Sequence, residues 1–340
     1  MGHMMPEGPV RVGVIGCGDH AVENLLPSLW ALASVEVVAV CDDDWSAAKL
    51  VANRFPRAKA FAGFRDLLAD GSVDAIVSAA PPQVHRAAAF EALQRGIHVF
   101  VEKPPTVTTA ELDDLASLAE RYRLVTGVGH NLRHATASRQ LQARIKEPSF
   151  GRPICMDMRY FASKPLGDRW GLDSVLRSFL LSHANHALDL MVFQMGTASS
   201  VTATATVGPR DGIALAAQIK FRSGAIGNLL ATTCAPHFSL SVTVVGDRST
   251  IVHMDGLRGI SEYGLAGDEK RWGRSWTERT LDTGFEHSGY QPELDLFVKA
   301  VQGKDRMHPS FRDEVAVYQL IDLIEEQVLA SVDSPGMVSS

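Results

Sequence analysis

Val10-Arg11-Val12-Gly13-Val14-Ile15-Gly16-Cys17-Gly18-Asp19-His20-Ala21 is the stretch on which the reading of the whole chain turns. Its first half is a short, nearly continuous apolar run, the pattern of a strand buried on both faces of a parallel sheet. The run ends in G-x-G-x-x-A and passes into a helical pattern. Gly16 permits the tight turn, Gly18 lets backbone approach a pyrophosphate, and the small Ala21 allows close helix–strand packing. The amino end of the following helix offers free N–H groups and partial positive charge, each interaction being worth about 0.3–1 kcal/mol. A tight strand-to-helix turn needs no ligand, so the fingerprint alone is weak. Its place at the first strand of an alternating β/α pattern points to dinucleotide binding through Gly16, Cys17, Gly18, Asp19 and His20.

That alternation holds to Val128. Strand-like runs at residues 10–15, 35–40, 58–62, 73–79, 97–101 and 124–128 alternate with helical patterns at 21–33, 46–55, 64–69, 83–95 and 108–122. Thr108 or Thr109, followed by Glu111, makes a capping start for the last of these. The pattern predicts a doubly wound parallel sheet. Beyond Gly129 the character changes. A helix over 136–146 leads into strands at 154–161, 201–207, 213–221, 225–234, 239–245 and 250–254, several alternating apolar and polar residues. One helix, 175–195, interrupts the strands, and two more, 292–301 and 311–332, follow them. The fold class is therefore α/β followed by α+β. A Rossmann domain is expected over 1–128 and a substrate-binding and oligomerisation domain with a large, mostly antiparallel sheet over 129–340.

Composition narrows the partners. The 340 residues are 46% hydrophobic and 21% charged, values of a globular chain rather than a disordered one. A net charge of −6 without a basic run argues against nucleic acid or an anionic membrane. No stretch approaches the ~18 apolar residues of a membrane span. Met1-Gly2-His3-Met4 reads as a cloning remnant, and with no leader pattern a cytoplasmic location is expected. Cys17, Cys41, Cys155 and Cys234 are scattered without a CxxC pair, so neither a metal site nor a disulfide framework is expected.

Two further strand ends carry chemistry. The second strand closes in Cys41-Asp42-Asp43-Asp44. A carboxylate there accepts hydrogen bonds from ribose hydroxyls, and it repels a 2′-phosphate by about 3 kcal/mol at roughly 5 Å and an effective dielectric near 20. Asp42 therefore predicts NAD over NADP, whereas Asp43 and Asp44 read as acids at a helix start. In Val99-Phe100-Val101-Glu102-Lys103-Pro104 an apolar run stops at an acid, a base and a proline, at the strand end where open α/β sheets bind ligands.

With these residues assembled, the chain resembles the Gfo/Idh/MocA oxidoreductase family over nearly its whole length. The amino half matches at the glycine turn, at Asp42, at Ala80-Pro81-Pro82-Gln83-Val84-His85 and at Glu102-Lys103-Pro104. The second half matches at Gly129-His130-Asn131-Leu132-Arg133 and at Ser182-His183-Ala184-Asn185-His186-Ala187-Leu188-Asp189. The resemblance implies that Ala80, Pro81, Glu102, Lys103, Asn131 and Tyr290 border the cofactor, with His85 fixing the Pro81 loop. It also implies that Lys103 reaches the substrate beside the nicotinamide and that a cis peptide precedes Pro104. His186 takes the place of the family's catalytic histidine and Asp189 that of the acid after it. Two positions depart from the family pattern: Ser182 stands where an Asp is usual, and Ala184 where a Gly is.

Moving a hydride between an alcohol carbon and nicotinamide also requires moving the hydroxyl proton. A histidine titrating near neutrality suits that task, and an ammonium stabilises the alkoxide that develops. His186 is therefore assigned to the proton and Lys103 to the developing charge. At α-helical spacing Ser182 and His186 share a face, with His183 and His186 also neighbours. Tyr160, Arg177 and His183 are the candidates for contact with substrate. The expected substrate, a sugar, cyclitol or related polyol or its ketone, comes from the resemblance alone, as does a homodimer or homotetramer, which the exposed sheet also suggests. Ser182 motivates one alternative, a catalytically silent NAD(H)-binding sensor or scaffold. Another is an enzyme that uses bound NAD for transient oxidation during hydrolysis, elimination or epimerisation.

Overall fold

The computed structural model describes residues 8–163, 169–266, 270–277 and 285–332; residues 1–4 lie outside them. The chain divides into two compact units. One comprises Met1–His134 with Thr283–Val315, and the other Ala135–Asp282 with Ala316–Ser340.

The first unit is built on β1 (Val10–Ile15), β2 (Val35–Cys41), β3 (Lys59–Phe61), β4 (Ala75–Ser78), β5 (His98–Glu102) and β6 (Thr126–Gly129). All six run parallel in the order β3-β2-β1-β4-β5-β6. Order reverses between β1 and β4, so the carboxyl ends of those strands open the crevice in which such sheets hold dinucleotides. The core follows from sequence: Val10, Val12, Val14, Val77 and Phe100 are fully buried, as strands covered on both faces require.

Two features depart from the sequence reading. The helix expected over 21–33 begins as a π-helical turn, Ala21–Leu25, and continues as Leu26–Trp30. The segment 283–315, assigned from sequence to the second domain, belongs to the first unit. The reason is packing: helix Tyr290–Val301 lays Phe297 on Phe100 of β5, with ring centroids 5.6 Å apart. Beyond it, the Val128 N–H donates to the Pro309 carbonyl at 3.0 Å and the Phe311 N–H to Thr126 Oγ1 at 3.1 Å. Those contacts lie nearly two hundred residues apart in sequence, where local pattern carries no information.

The second unit contains β7 (Pro153–Ser163), β8 (Ala198–Val207), β9 (Ile213–Phe221), β10 (Ile226–Thr232), β11 (Cys234–Gly246), β12 (Thr250–Asp255), β13 (Gly259–Ala266) and β14 (Lys270–Thr277). They form one sheet, β14-β13-β12-β11-β7-β10-β9-β8, antiparallel except where β7 meets β10. β13 and β14 were not foreseen, because their residues are rich in Gly, Ser and charge. The runs read at 225–234 and 239–245 resolve into β10 and the long β11. Period-two burial is clear in β7, where Met156, Met158 and Tyr160 point inward while Asp157 and Arg159 face out. Helix Asn185–Met195 covers the inner face over β7 and β10.

Candidate active site

The glycine turn has the conformation its sequence demands. Gly16 adopts φ +92°, and a Cβ there would lie 2.4 Å from the Ala79 carbonyl oxygen at the end of β4. Only glycine fits. A Cβ on Gly18 would meet nothing within 4 Å, so the backbone at this point is open to a close-lying ligand. The Cys17 N–H donates to Asp42 Oδ2 at 2.6 Å and the Asp44 N–H to Asp42 Oδ1 at 2.8 Å, which fixes the carboxylate beside the turn. Between them lies a cleft of about 370 Å³, walled by Gly16, Gly18, Asp42, Ala80, Pro81 and Phe64. Its size and lining fit the adenosine end of a dinucleotide: apolar faces for the base, a carboxylate for the ribose and bare backbone for the pyrophosphate. Ala62, Gly63 and Phe64 were missed in the sequence. The signal available was their place after β3, at the same edge as the other strand ends. Burial pushes the Cys17 and Cys41 thiols up to about 12, so neither is a reactive group here.

His85 is fully buried and joins two loops. Its Nε2 accepts from the Ala80 N–H at 2.9 Å, and its Nδ1 donates to the Pro104 carbonyl at 3.0 Å, an arrangement that selects the neutral ring. Burial lowers this imidazole to about 4, against the opposing pull of Pro104 and Glu102. The two bonds tie the loop at Ala80 to the turn at Pro104. The peptide between Lys103 and Pro104 is cis.

A second cluster gathers at the carboxyl end of β5. The half-exposed His20 places Nε2 3.1 Å from Glu102 Oε1, and its ring meets Tyr290 edge-on with centroids 5.6 Å apart. Glu102 is almost fully buried. Burial alone raises its carboxyl, but the contact with His20 and the charge of Lys103 outweigh that and hold it below the usual range. Glu102 pairs with Gly129 across β5 and β6, and a Cβ at Gly129 would lie 2.7 Å from the carboxylate. Asn131 donates from Nδ2 to the Ser288 carbonyl at 2.8 Å, tying the chain after β6 to the segment that precedes Tyr290. Lys103 is half-buried between Glu102 and Pro104. Asp19 is exposed at the turn, where its backbone rather than its carboxylate suits a phosphate.

In the second unit the expected residues divide. Helix Val175–Phe179 continues through a π-helical turn, Leu180–Ala184, into Asn185–Met195. The wider turn adds a residue, so face assignments made at 3.6 residues per turn do not carry across it. The Ser182 hydroxyl donates to the Ser178 carbonyl at 2.5 Å. Ser182 and His186 are partly exposed, while His183, Asn185 and Asp189 are buried. His183 packs between Tyr160, at 4.8 Å between centroids, and Phe179, at 5.8 Å. Burial pushes the Tyr160 phenol upward. Arg177, expected against substrate, gives its guanidinium to Asp322 at 2.7 Å and Glu325 at 3.0 Å on helix Phe311–Val332. A mostly buried guanidinium held by two partly exposed carboxylates makes that arginine a tie within the second unit.

Comparison with known proteins adds to this geometry. Residues 10–130 match the model of an oxidoreductase family with an NAD-binding Rossmann fold, GFO_IDH_MocA, and residues 138–252 match the GFO/IDH/MocA C-terminal domain. A dTDP-3,4-didehydro-2,6-dideoxy-α-D-glucose 3-reductase from Saccharopolyspora spinosa is 38% identical over 117 residues, 34% of this chain and 35% of that protein. An inositol 2-dehydrogenase from Burkholderia multivorans is 30% identical over 190 residues, 55% of each chain. The matched stretch thus spans from a third to about half the length of these curated relatives. A dehydrogenase of solved structure from Chromobacterium violaceum is 34% identical, with a TM-score of 0.91 over 96% of this chain and 97% of that one. Levoglucosan dehydrogenase in complex with NADH, 20% identical, shares the fold at a TM-score of 0.81 over 95% of this chain and 97% of that one.

Proposed function

The chain belongs to the GFO/IDH/MocA oxidoreductase family, and from that premise we propose that it interconverts a secondary alcohol and its ketone on a sugar, cyclitol or related polyol. Bound NAD(H) supplies the hydride acceptor or donor. The chain's residues do the rest. Gly16 and Gly18 present backbone to the pyrophosphate, and Asp42 receives the ribose hydroxyls. Lys103 stabilises negative charge on the reacting oxygen, and His186 takes or returns its proton. The observation that supports this reading best is the half-buried lysine at the carboxyl end of β5, in the half of the sheet where the second mononucleotide of such cofactors lies. Substrate class is carried by the relatives, among them an inositol dehydrogenase and a deoxysugar reductase.

The test is NADH absorbance on a panel of polyols, cyclitols and keto-sugars, for wild type and Lys103→Ala. Removing the ammonium should lower kcat roughly 10²–10³-fold while NADH affinity, read by fluorescence, stays close to wild type. Near-normal turnover in the variant overturns the role given to Lys103. One observation favours a second reading. Ser182 stands where the family resemblance leads one to expect an Asp, and its hydroxyl is bound to backbone. A silent NAD(H)-binding protein would hold the cofactor and leave every compound of the panel unchanged.

Self-association is part of the proposal. Among the described residues the outward face of the eight-stranded sheet exposes Ile226 and Leu230 beside Asp157 and Arg159, and a second copy of the chain can cover it as a homodimer or homotetramer. Leu230→Arg should move the sedimentation coefficient toward that of a monomer. A wild type already monomeric at micromolar concentration would remove this part.

A further inference from the structure

We infer that His20 is a positioning residue for Lys103, acting through Glu102, and that this is its chief contribution at the glycine turn. The inference rests on the role proposed above for Lys103. Lys103 is flanked by two residues, and each is held by a histidine from elsewhere in the first unit. On one side the Pro104 carbonyl accepts from Nδ1 of the buried His85, whose other nitrogen is fixed by the Ala80 N–H. On the other side the Glu102 carboxylate takes Nε2 of His20 at 3.1 Å. Glu102 has little freedom of its own, because its carboxyl lies over Gly129 where any side chain on β6 would displace it. His20 is held in turn. Tyr290 meets its ring edge-on, and Asn24 Nδ2 lies 3.4 Å from Nδ1, so the ring is held on the side away from Glu102.

The consequence is mechanical and electrostatic together. Glu102 is held in β5 by its pairing with Gly129 and at its carboxylate by His20, and Pro104 at its carbonyl by His85, so the ε-amine of residue 103 extends from between two held neighbours, and misplacement of a reacting group by about 1 Å is enough to cost on the order of a hundredfold in rate. An unpaired, nearly buried carboxylate one residue away would also turn its charge on the lysine. His20 prevents both. The sequence alone could not show this, since positions 20, 102 and 290 meet only in the folded unit.

The test uses His20→Ala and His20→Gln in the full chain. Because His20 is half-exposed, neither change should disturb folding. Lysines are dimethylated with carbon-13 formaldehyde, and the Lys103 resonance is identified by its loss in Lys103→Arg. The Lys103 signal should shift in His20→Ala and return toward wild type in His20→Gln, which restores an N–H donor. NADH affinity by fluorescence should change by no more than about twofold while kcat on the best panel substrate falls about tenfold. In the double variant, His20→Ala should add nothing to the loss caused by Lys103→Ala. A Lys103 signal unmoved by His20→Ala, or losses that multiply in the double variant, would overturn the inference. A tenfold loss of NADH affinity in His20→Ala would likewise assign His20 to the cofactor instead. Failure of the parent reading looks different, since Lys103→Ala alone would then keep its turnover.

Discussion

Asp42 shows how much one carboxylate can decide. Its two oxygens are oriented by the Cys17 and Asp44 amides, so it presents fixed negative charge on the wall of the cleft beside the glycine turn. Wild type should therefore prefer NAD over NADP in kcat/KM, by an electrostatic difference of about 3 kcal/mol at most, before solvent screening. Asp42→Ala should narrow the preference mainly by weakening NAD and admitting the phosphate. Equal use of both cofactors by wild type would refute the assignment. The Gly16 turn and the place of Asp42 beside it were legible because each stands at the end of an apolar run, where backbone geometry restricts what a residue can be doing. Arg177 was not. An arginine in a segment expected to wall the substrate pocket suggests an anion, and only the fold shows Asp322 and Glu325 waiting for it on a helix far along the chain.

Elements carry the same lesson at longer range. Helix Trp45–Ala52 starts at Asp44, whose side chain accepts from the Ser46 and Ala47 amides at 2.8 and 3.3 Å, as its place after an acidic turn implied. Asp44→Ala should destabilise the first unit by about 1 kcal/mol, measured as a shift in the denaturant midpoint with unchanged slope. No shift would mean that water or Asp43 caps the helix equally well. The helix over 175–195 is a harder case. Its existence was readable, but its π-helical turn at Leu180–Ala184 was not, because apolar periodicity blurs when nearly every position is buried. The spacing between Ser182 and His186 was therefore the least secure inference from sequence.

For the molecule as a whole, the buried His85 makes stability depend on pH. His85 titrates near 6.5 when unfolded and about 4 when folded, so between those values the unfolded chain binds more protons. Its contribution is complete above pH 6.5 and is lost as pH falls toward 4. At pH 5 the loss amounts to about 2 kcal/mol. Glu102, held below its ordinary value, adds a loss of the same sign at lower pH. Urea midpoints at pH 7 and pH 5 should show this decrease, and a folded His85→Gln variant should show less of it. An unchanged midpoint would mean that His85 is charged, or solvated, in the native state.

The sequence by itself determined the parallel sheet, the glycine turn, the residues at each strand end and the switch to an antiparallel second half, because strands and tight turns are specified by neighbours a few positions apart. Tertiary structure decided which unit owns residues 283–315, what His20 and Arg177 bind, and why Gly129 has no side chain. Those outcomes depend on groups far apart along the chain competing for the same space and charge, and nothing short of the folded backbone sets that competition.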